Sequence, residues 1–159
     1  AEHLAVLQAN PWLKRYPLIC AGSNITAVAD DIARNYRGKF CWSLSFDASF
    51  IASLITHGFL PMAETTLQGP APYILLPKLH LHRCVLAFPN LHLHRSVRKR
   101  AHKFEVSCDT AFDAVVAGCL AQHGANWLYP PIVNVLRHMF HSNGVAGVKM
   151  HSCEVWVER

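Results

Sequence analysis

The sequence is poor in charge and contains no long apolar run. Asp, Glu, Lys and Arg make up 16% of its 159 residues, whereas hydrophobic residues make up 52%. This balance supports a packed core and argues against general disorder. No apolar run approaches the ~18–20 residues that cross a bilayer, and the stretch from Ala1 to Asn10 lacks the basic start and apolar segment of a secretory signal. We therefore expect no membrane partner.

The sequence also lacks paired cysteines and the common nucleotide and hydrolase motifs. Six cysteines occur singly, without a CxxC motif, so neither a disulfide framework nor a zinc site is indicated. Most have apolar neighbours, which predicts buried, reduced thiols and a reducing compartment. GxGxxG, P-loop and GxSxG motifs are absent, so dinucleotide-binding, P-loop and α/β-hydrolase functions have no support.

Histidine, by contrast, is abundant, and two HxH pairs raise the question of a metal site. His80 and His82 form one pair, and His92 and His94 form the other. On a strand each pair would project from one face and could offer two imidazoles to zinc. Both pairs alternate with Leu, however, and no acid or cysteine stands at ligand spacing. A half-buried strand with a polar outer face is the favoured interpretation, and no metal is expected.

Positive charge is concentrated in one short segment. Five basic residues fall within nine positions with no acid between them, namely Arg95, Arg98, Lys99, Arg100 and Lys103, and they equal the net charge of +5. Such a cluster suits a polyanion, most often nucleic acid, through phosphate contacts and counterion release. The alternative is an ordinary solvated helix face.

Periodicity and turn residues predict a mixture of helices and strands. Residues 23–38 read as a helix capped by Ser23 or Asn24, and residues 45–58 as a helix capped by Ser45. The proline-rich stretch 61–77 predicts no regular element and marks a domain boundary. We therefore divide the chain into residues 1–76, a small N-terminal domain with its linker, and residues 77–159.

The second part alternates strands and helices. Strands are predicted at 79–83, 85–88, 104–107 and 148–157, a helix is predicted after an Asp109 cap, and another opens at Pro130. The fold class is therefore α+β.

Five blocks of this second part occur in a recognisable order and spacing. They are LHLHRSVRK at 91–99, FEVS at 104–107, AFDAVVAGC at 111–119, WLYP at 127–130 and SCEVW at 152–156. They resemble the pattern LHxSRSxRK, FxVT, AFxxVIxxC, TWIT and HSxEVW of the leucyl/phenylalanyl-tRNA–protein transferases. Upstream, residues 46–63 resemble that family's LSPxRLLxAYxxGIFPWF.

The resemblance implies an aminoacyltransferase with an acetyltransferase-like (GNAT-type) domain, of which residues 77–159 would form the first half of a mixed sheet with flanking helices. Such an enzyme transfers Leu, Phe or sometimes Met from aminoacyl-tRNA to the N-terminal Arg or Lys of an acceptor protein and so marks it for degradation. It uses no metal or organic cofactor, and it is a cytosolic monomer.

The resemblance also assigns site residues. Trp127 matches the pocket Trp of TWIT and is expected to form a wall for the Leu or Phe side chain, although ordinary core packing is the alternative. Met62 stands where the family's FPWF has Trp, so another pocket wall is a softer residue. The basic cluster of residues 95–103 is expected to hold the acceptor stem through phosphate and sugar contacts.

Two further departures from the family pattern affect these expectations. TWIT becomes NWLY, with Asn126 and Tyr129 in place of threonines. The family continues past EVW to a GES-type strand and a DCQ segment that carry its catalytic carboxylate and amide, whereas this sequence reaches Arg159. We therefore assign no catalytic residue. The alternatives are part of a full transferase, an inactive relative, and an RNA-binding module or subunit of a ribonucleoprotein assembly.

Overall fold

The N-terminal part of the chain is more helical than its prolines indicate. The computed structural model describes residues 2–36, 38–66 and 69–157. Helix α1 spans Glu2–Ala9, and a 3-10 helix follows at Pro11–Arg15. Pro11 opens this second helix, a position where its missing N–H costs nothing.

The two predicted N-terminal helices are present, and side-chain caps set where they begin. Helix α2 spans Ile25–Arg34, and the Asn24 side chain accepts a hydrogen bond from the Ala27 amide at 3.1 Å. Helix α3 spans Ala48–Thr56. Its cap is Asp47, which accepts from the Phe50 amide at 2.8 Å, so the predicted Ser45 cap is wrong. Asp47 lies three positions before Phe50, the spacing that a capping side chain needs.

The stretch predicted to be irregular, residues 61–77, contains a hairpin. Strand β2 (Ala63–Thr65) pairs antiparallel with β3 (Tyr73–Leu75). Just outside them, β1 (Phe59–Leu60) pairs with β4 (Lys78–Leu79). The four prolines lie beside or between these short strands and not within them. Because they occupy no ladder position, they remove no hydrogen bond from the pairs.

The predicted strands at 79–83 and 85–88 are largely wrong. Only Leu79 belongs to a strand, and residues 80–87 have no regular structure before a 3-10 helix at Phe88–Asn90. The apolar side chains of this stretch remain exposed, with Val85 at 84% and Phe88 at 89%. Alternation alone does not make a strand when no neighbouring strand is available to accept its hydrogen bonds.

The C-terminal elements follow the prediction more closely. Helix α4 (Arg95–Arg100) and a 3-10 helix (Ala101–Lys103) lead into β5 (Phe104–Cys108), followed by α5 (Phe112–His123) and α6 (Pro130–His141). Strand β6 (Cys153–Val157) is half as long as predicted and pairs antiparallel with β5.

Asp109 does not cap α5, in contrast to the prediction. It has a φ of 60°, and the residue at the N-cap position of the helix is Ala111. The Asp109 carboxylate instead accepts a hydrogen bond of 2.9 Å from the Ser152 amide. The residue therefore joins the start of α5 to the strand β6.

The main hydrophobic core includes residues from both predicted domains. Phe50, Ile51 and Leu54 of α3 belong to the same buried cluster as Ile132 and Met139 of α6. A second cluster is formed near the N-terminus by Val6, Leu13, Trp42 and Ile74. The division at residues 76 and 77 stays a prediction.

The fold is α+β, as predicted. Its strands form three separate two-stranded antiparallel sheets within the described residues. A larger mixed sheet of the acetyltransferase type stays a prediction. In the part of the chain that the structure describes, no helix is both long enough and apolar enough to cross a membrane.

The cysteines are less buried than predicted. Cys41 alone among the six is buried, and its burial raises the pKa of the thiol to about 12. The other five are exposed, namely Cys20, Cys84, Cys108, Cys119 and Cys153. Apolar neighbours in sequence did not predict burial. Cys20 and Cys84 lie in irregular segments, and Cys108 and Cys153 lie on strands whose apolar side chains face solvent.

Candidate functional site

The two residues predicted to line an aminoacyl pocket lie on adjoining backbone segments. The Ala63 amide, directly after Met62, donates a 3.2 Å hydrogen bond to the Trp127 carbonyl. Met62 itself accepts from the Leu76 amide at 2.7 Å, which ties it to the β2–β3 hairpin. Both side chains are half-buried. The structure thus brings together two positions that are far apart in sequence.

Trp127 lines a cavity of about 300 Å³ between the end of α5 and the start of α6. The turn is shaped by Gly124 and Asn126, which adopt φ values of 72° and 41°. The Asn126 side chain donates to the His123 carbonyl at 2.8 Å, which stabilises this conformation. Met62 does not line this cavity. Its predicted role as a second wall is therefore limited to backbone proximity.

Tyr129 links the same segment to the hairpin. Its hydroxyl lies 3.3 Å from Glu64 Oε1, where it donates a hydrogen bond, and its ring lies 5.7 Å from that of Tyr73. Tyr129, which stands where the family pattern has a threonine, thus contacts an acidic residue, Glu64, and an aromatic residue, Tyr73. These contacts hold the residues after Trp127 against β2 and β3.

The predicted basic cluster forms an exposed surface. All five side chains of the cluster are exposed, and none lies within ion-pairing distance of a carboxylate in the described ranges 2–36, 38–66 and 69–157. Arg98 and Arg100 each donate one Nε hydrogen bond to a backbone carbonyl, at 3.1 and 3.2 Å. These bonds restrict the two side chains while their terminal nitrogens stay available.

A groove of about 460 Å³ lies at the start of this basic helix. It is lined by His92, Leu93, His94, Arg95 and Arg98. His94 is the N-cap of α4, and its Nδ1 accepts from the Ser96 amide at 3.3 Å. Capping therefore occupies one ring nitrogen of His94, and the groove keeps two arginines at its edge. A phosphate or other anion fits this charge distribution.

The first HxH pair does not have the strand geometry that a metal site there would need. His80 and His82 lie in the irregular segment and not on a strand, so alternation does not project them from one face. Over the residues that the structure describes, no three His, Cys, Asp or Glu side chains come together as a metal-binding group.

Glu154 is the functional candidate that sequence reasoning missed. Only 4% of it is exposed. Its carboxylate accepts four hydrogen bonds, from the Ser107 and Ser152 hydroxyls at 2.5 Å, the Thr110 hydroxyl at 3.0 Å and the Ala111 amide at 3.2 Å. These donors, Ser107 first among them, lower the pKa of Glu154 to about 2.

This arrangement makes Glu154 a fixed negative charge at neutral pH and not a proton acceptor. It joins β5, the start of α5 and β6. The sequence signal was present in SCEVW, where Ser152 and Glu154 share one face of a strand. The other donors, Ser107 and Thr110, lie far away in sequence, so the pattern of β6 alone could not reveal them.

A second polar contact lies beside this network. His151 Nδ1 is 2.7 Å from Asp109 Oδ2. The hydrogen bond from His151, followed by that from the Ser152 amide, lowers the pKa of Asp109. Asp109 and Phe112 line a hollow of about 220 Å³ that also includes Phe140, stacked 4.6 Å from Phe112. An acidic group thus borders an aromatic surface.

Comparison with known proteins finds a similar family for this region. A family described as Leucyl/phenylalanyl-tRNA protein transferase matches residues 85–159, which contain the basic helix, the Trp127 cavity and Glu154. Residues 85–159 are therefore similar to this transferase family. Met62 and the β2–β3 hairpin lie outside the matched range.

A curated relative supports the family assignment. The chain is 38% identical over 101 residues to the leucyl/phenylalanyl-tRNA–protein transferase of Pectobacterium atrosepticum, a match that covers 62% of this chain. The match covers 37% of the relative, so the chain spans little more than a third of that transferase. No solved structure matches the chain.

Proposed function

We propose that this chain takes part in the transfer of Leu, Phe or Met from aminoacyl-tRNA to the N-terminal Arg or Lys of acceptor proteins, which marks them for degradation. The observation that carries the proposal is the family match over residues 85–159. We place this activity in the cytoplasm, in a monomer, and assign the region a GNAT-type domain. The proposal includes no metal or organic cofactor, because the tRNA ester supplies the energy of the reaction.

The basic surface supports the aminoacyl-tRNA part of the proposal. RNA duplexes are recognised largely through phosphates and sugars, and unpaired Arg and Lys side chains suit such contacts. In the described residues, the cluster at 95–103 has no acidic partner that would compete with phosphate. We assign Arg95, Arg98, Lys99, Arg100 and Lys103 to this contact.

The cavity beside Trp127 supports the amino-acid part. Burying a Leu or Phe side chain contributes ~1.5–3 kcal/mol. A cavity of about 300 Å³, bordered by an indole, is large enough for one such side chain. We assign Trp127 as its aromatic wall. We keep Met62, whose neighbour Ala63 donates a hydrogen bond to the Trp127 carbonyl, as a candidate contact for the aminoacyl group outside this cavity.

The chemical step is aminolysis of an ester. The neutral α-amino group of the acceptor attacks the carbonyl carbon of the aminoacyl ester, and the tRNA 3′ hydroxyl leaves with a proton. Orientation of the two substrates and stabilisation of the oxyanion can provide most of the acceleration. No catalytic residue is assigned. Glu154 is too acidic to remove the proton, and we assign it the role of fixing β5, β6 and the start of α5.

A second candidate function is RNA binding without transfer, by an inactive relative or by a subunit of a ribonucleoprotein assembly. The exposed basic helix favours it, because that helix needs only phosphate contacts and no catalytic group.

One experiment distinguishes the two functions. The protein is incubated with radiolabelled Leu-tRNA or Phe-tRNA and an acceptor that begins with Arg, beside a matched acceptor that begins with Ala. The Pectobacterium transferase serves as a positive control, and tRNA binding is measured separately by filter retention. Label on the Arg acceptor alone supports transfer. Binding without label supports the second function, and neither binding nor label contradicts both.

A further inference from the structure

The antiparallel strand pair β5–β6 carries two cysteines directly opposite each other. Cys108 is the last residue of β5, Cys153 is the first of β6, and the two are partners in the antiparallel register. Both are free and exposed. Helices α5 and α6 lie between them in the sequence, so the pair exists only because the strands have come together.

The hydrogen-bond pattern beside the pair fixes its geometry. The Asp109 amide donates to the Ser152 carbonyl at 3.0 Å, immediately next to Cys108 and Cys153. This bond identifies the cysteines as a non-hydrogen-bonded pair, in which the Cα atoms are about 4.5 Å apart and the side chains are closest. Natural disulfides join Cα atoms separated by about 4.4–6.8 Å. The backbone thus already holds the two residues at a distance suitable for a disulfide.

Both thiols lie on the outer face of the β5–β6 strand pair. Ser107 and Glu154 face the polar network on the inner side, whereas Val106 and Val155 are 68% and 62% exposed on the outer side, which the cysteines share. An external oxidant can therefore reach the pair without disturbing Glu154. Repulsion by the neighbouring Cys153 is the main cause that raises the pKa of Cys108.

We propose that Cys108 and Cys153 are a reversible redox modification site, a dithiol that glutathione disulfide converts into an intramolecular disulfide. One thiolate attacks glutathione disulfide, forms a mixed disulfide and releases one glutathione. The second thiolate then attacks the protein-side sulfur of that mixed disulfide and releases the other glutathione. The protein loses two protons and two electrons, and the glutathione disulfide gains them to become two glutathione thiols. The proposal is independent of the transfer activity.

The disulfide would join β5 and β6 covalently, close a loop that contains α5 and α6, and stabilise their pairing. The reduced form relies on the strand ladder and the Glu154 network alone. In a reducing compartment such a bond forms transiently, when the glutathione pool becomes oxidised.

The test uses the whole chain. It is equilibrated with reduced and oxidised glutathione at several ratios, quenched with acid, alkylated with N-ethylmaleimide and digested for mass spectrometry. A cross-linked peptide with Cys108 and Cys153, lighter by two hydrogens, is the expected product, while Cys20, Cys84 and Cys119 carry the alkyl group or separate glutathione adducts. Melting temperature should rise in the oxidised protein and return after reduction.

Two controls make the result specific. In C153S, Cys108 has no resolving partner, so a stable glutathione adduct should accumulate on it. In urea, the preference for a disulfide between Cys108 and Cys153 should disappear, because this preference depends on the pairing of β5 with β6. A predominance of Cys108–Cys119 or other pairs in the folded protein would overturn the proposal. Separate glutathione adducts on Cys108 and Cys153 of the wild type would overturn it too.

Discussion

Ser107 and Glu154 lie 47 residues apart in the sequence, yet the Ser107 hydroxyl donates a 2.5 Å hydrogen bond to Glu154 Oε2. Ser107 also accepts a 2.9 Å hydrogen bond from the Trp156 indole. Ser107 therefore relays contacts between β5 and two residues of β6. Most other side chains of β5 and β6 are exposed. The polar network and the backbone hydrogen bonds therefore provide much of the interaction between the two strands.

Replacing Glu154 with Gln should destabilise the fold. One Glu154 oxygen accepts from the Ser152 hydroxyl and the Ala111 amide, and the other accepts from the Ser107 and Thr110 hydroxyls. The amide nitrogen of Gln is a donor, so it cannot accept hydrogen bonds at either place. A buried donor left without an acceptor is destabilising. We expect a lower urea midpoint for Glu154→Gln than for Glu105→Gln, a control at an exposed residue of β5. Equal midpoints would contradict the structural role of Glu154.

The same carboxylate predicts a dependence of stability on pH. The pKa of Glu154 is about 2 in the folded protein and 4.5 ordinarily, chiefly because Ser107 and Ser152 donate to it. Since the folded pKa is lower, the ionised group stabilises the fold above pH 4.5, and this contribution is lost as pH falls from 4.5 to 2. The difference in free energy of unfolding between wild type and Glu154→Gln should shrink over that interval.

Urea denaturation at a series of pH values measures this difference. Asp109, whose pKa is also lowered, is present in both proteins. The Glu154 charge is the smallest of the causes that act on the Asp109 pKa, so most of the Asp109 acid dependence cancels in the comparison. A difference that stays constant with pH would show that the Glu154 charge does not contribute.

Local signals predicted the helices well. Pro130 at a first helical turn, followed by apolar residues at helical spacing such as Ile132, Val135 and Met139, predicted α6, and these three side chains are buried in the core. The start of α2 was likewise predicted from a cap at Ser23 or Asn24, and Asn24 is the cap. In each case the determining interactions lie within one or two turns of the same helix, so a single sequence contains them.

Pairing between distant segments could not be read in the same way. Residues 79–88 alternate like a strand, but only Leu79 has a partner strand. The proline-rich stretch does pair, with Ala63 opposite Leu75. Glu154 was missed for the same reason, since three of its four donors lie on other elements. The Trp127 pocket was proposed from a motif, and its closeness to Ala63 emerged only from the fold.

The corrected cap of α3 provides a direct test of this reading. Asp47 accepts from the Phe50 amide at 2.8 Å, whereas Ser45 accepts from the Asp47 amide at 3.3 Å and caps no helix. Asp47→Ala should therefore lower the free energy of unfolding by about 1 kcal/mol, and Ser45→Ala should have a smaller effect. Thermal denaturation of the two variants checks the order. The reverse order would restore the sequence-based cap.

Charge reversal in the basic helix should weaken tRNA binding. The variant Arg98→Glu with Lys99→Glu removes two candidate phosphate contacts. The logarithm of the binding constant should then fall less steeply with the logarithm of salt concentration, by roughly 0.7–0.9 per lost contact. A matched control, Lys14→Glu with Arg15→Glu, changes net charge equally on the exposed 3-10 helix at Pro11–Arg15. Similar salt slopes for the two variants would attribute the effect to overall charge and not to α4.

Shortening Trp127 should remove the preference of the protein for aminoacyl-tRNA over deacylated tRNA, without removing tRNA binding. The Trp127 cavity is separate from the basic helix, so Trp127→Ala should leave the affinity for deacylated tRNA unchanged. Affinity for Leu-tRNA or Phe-tRNA should fall about tenfold, since losing ~1.4 kcal/mol of the burial energy corresponds to that factor. Filter retention with charged and uncharged tRNA measures both affinities. Trp127→Phe keeps an aromatic wall and should retain most of the preference. If Trp127→Ala retained it fully, Trp127 would be a packing residue and not a pocket wall.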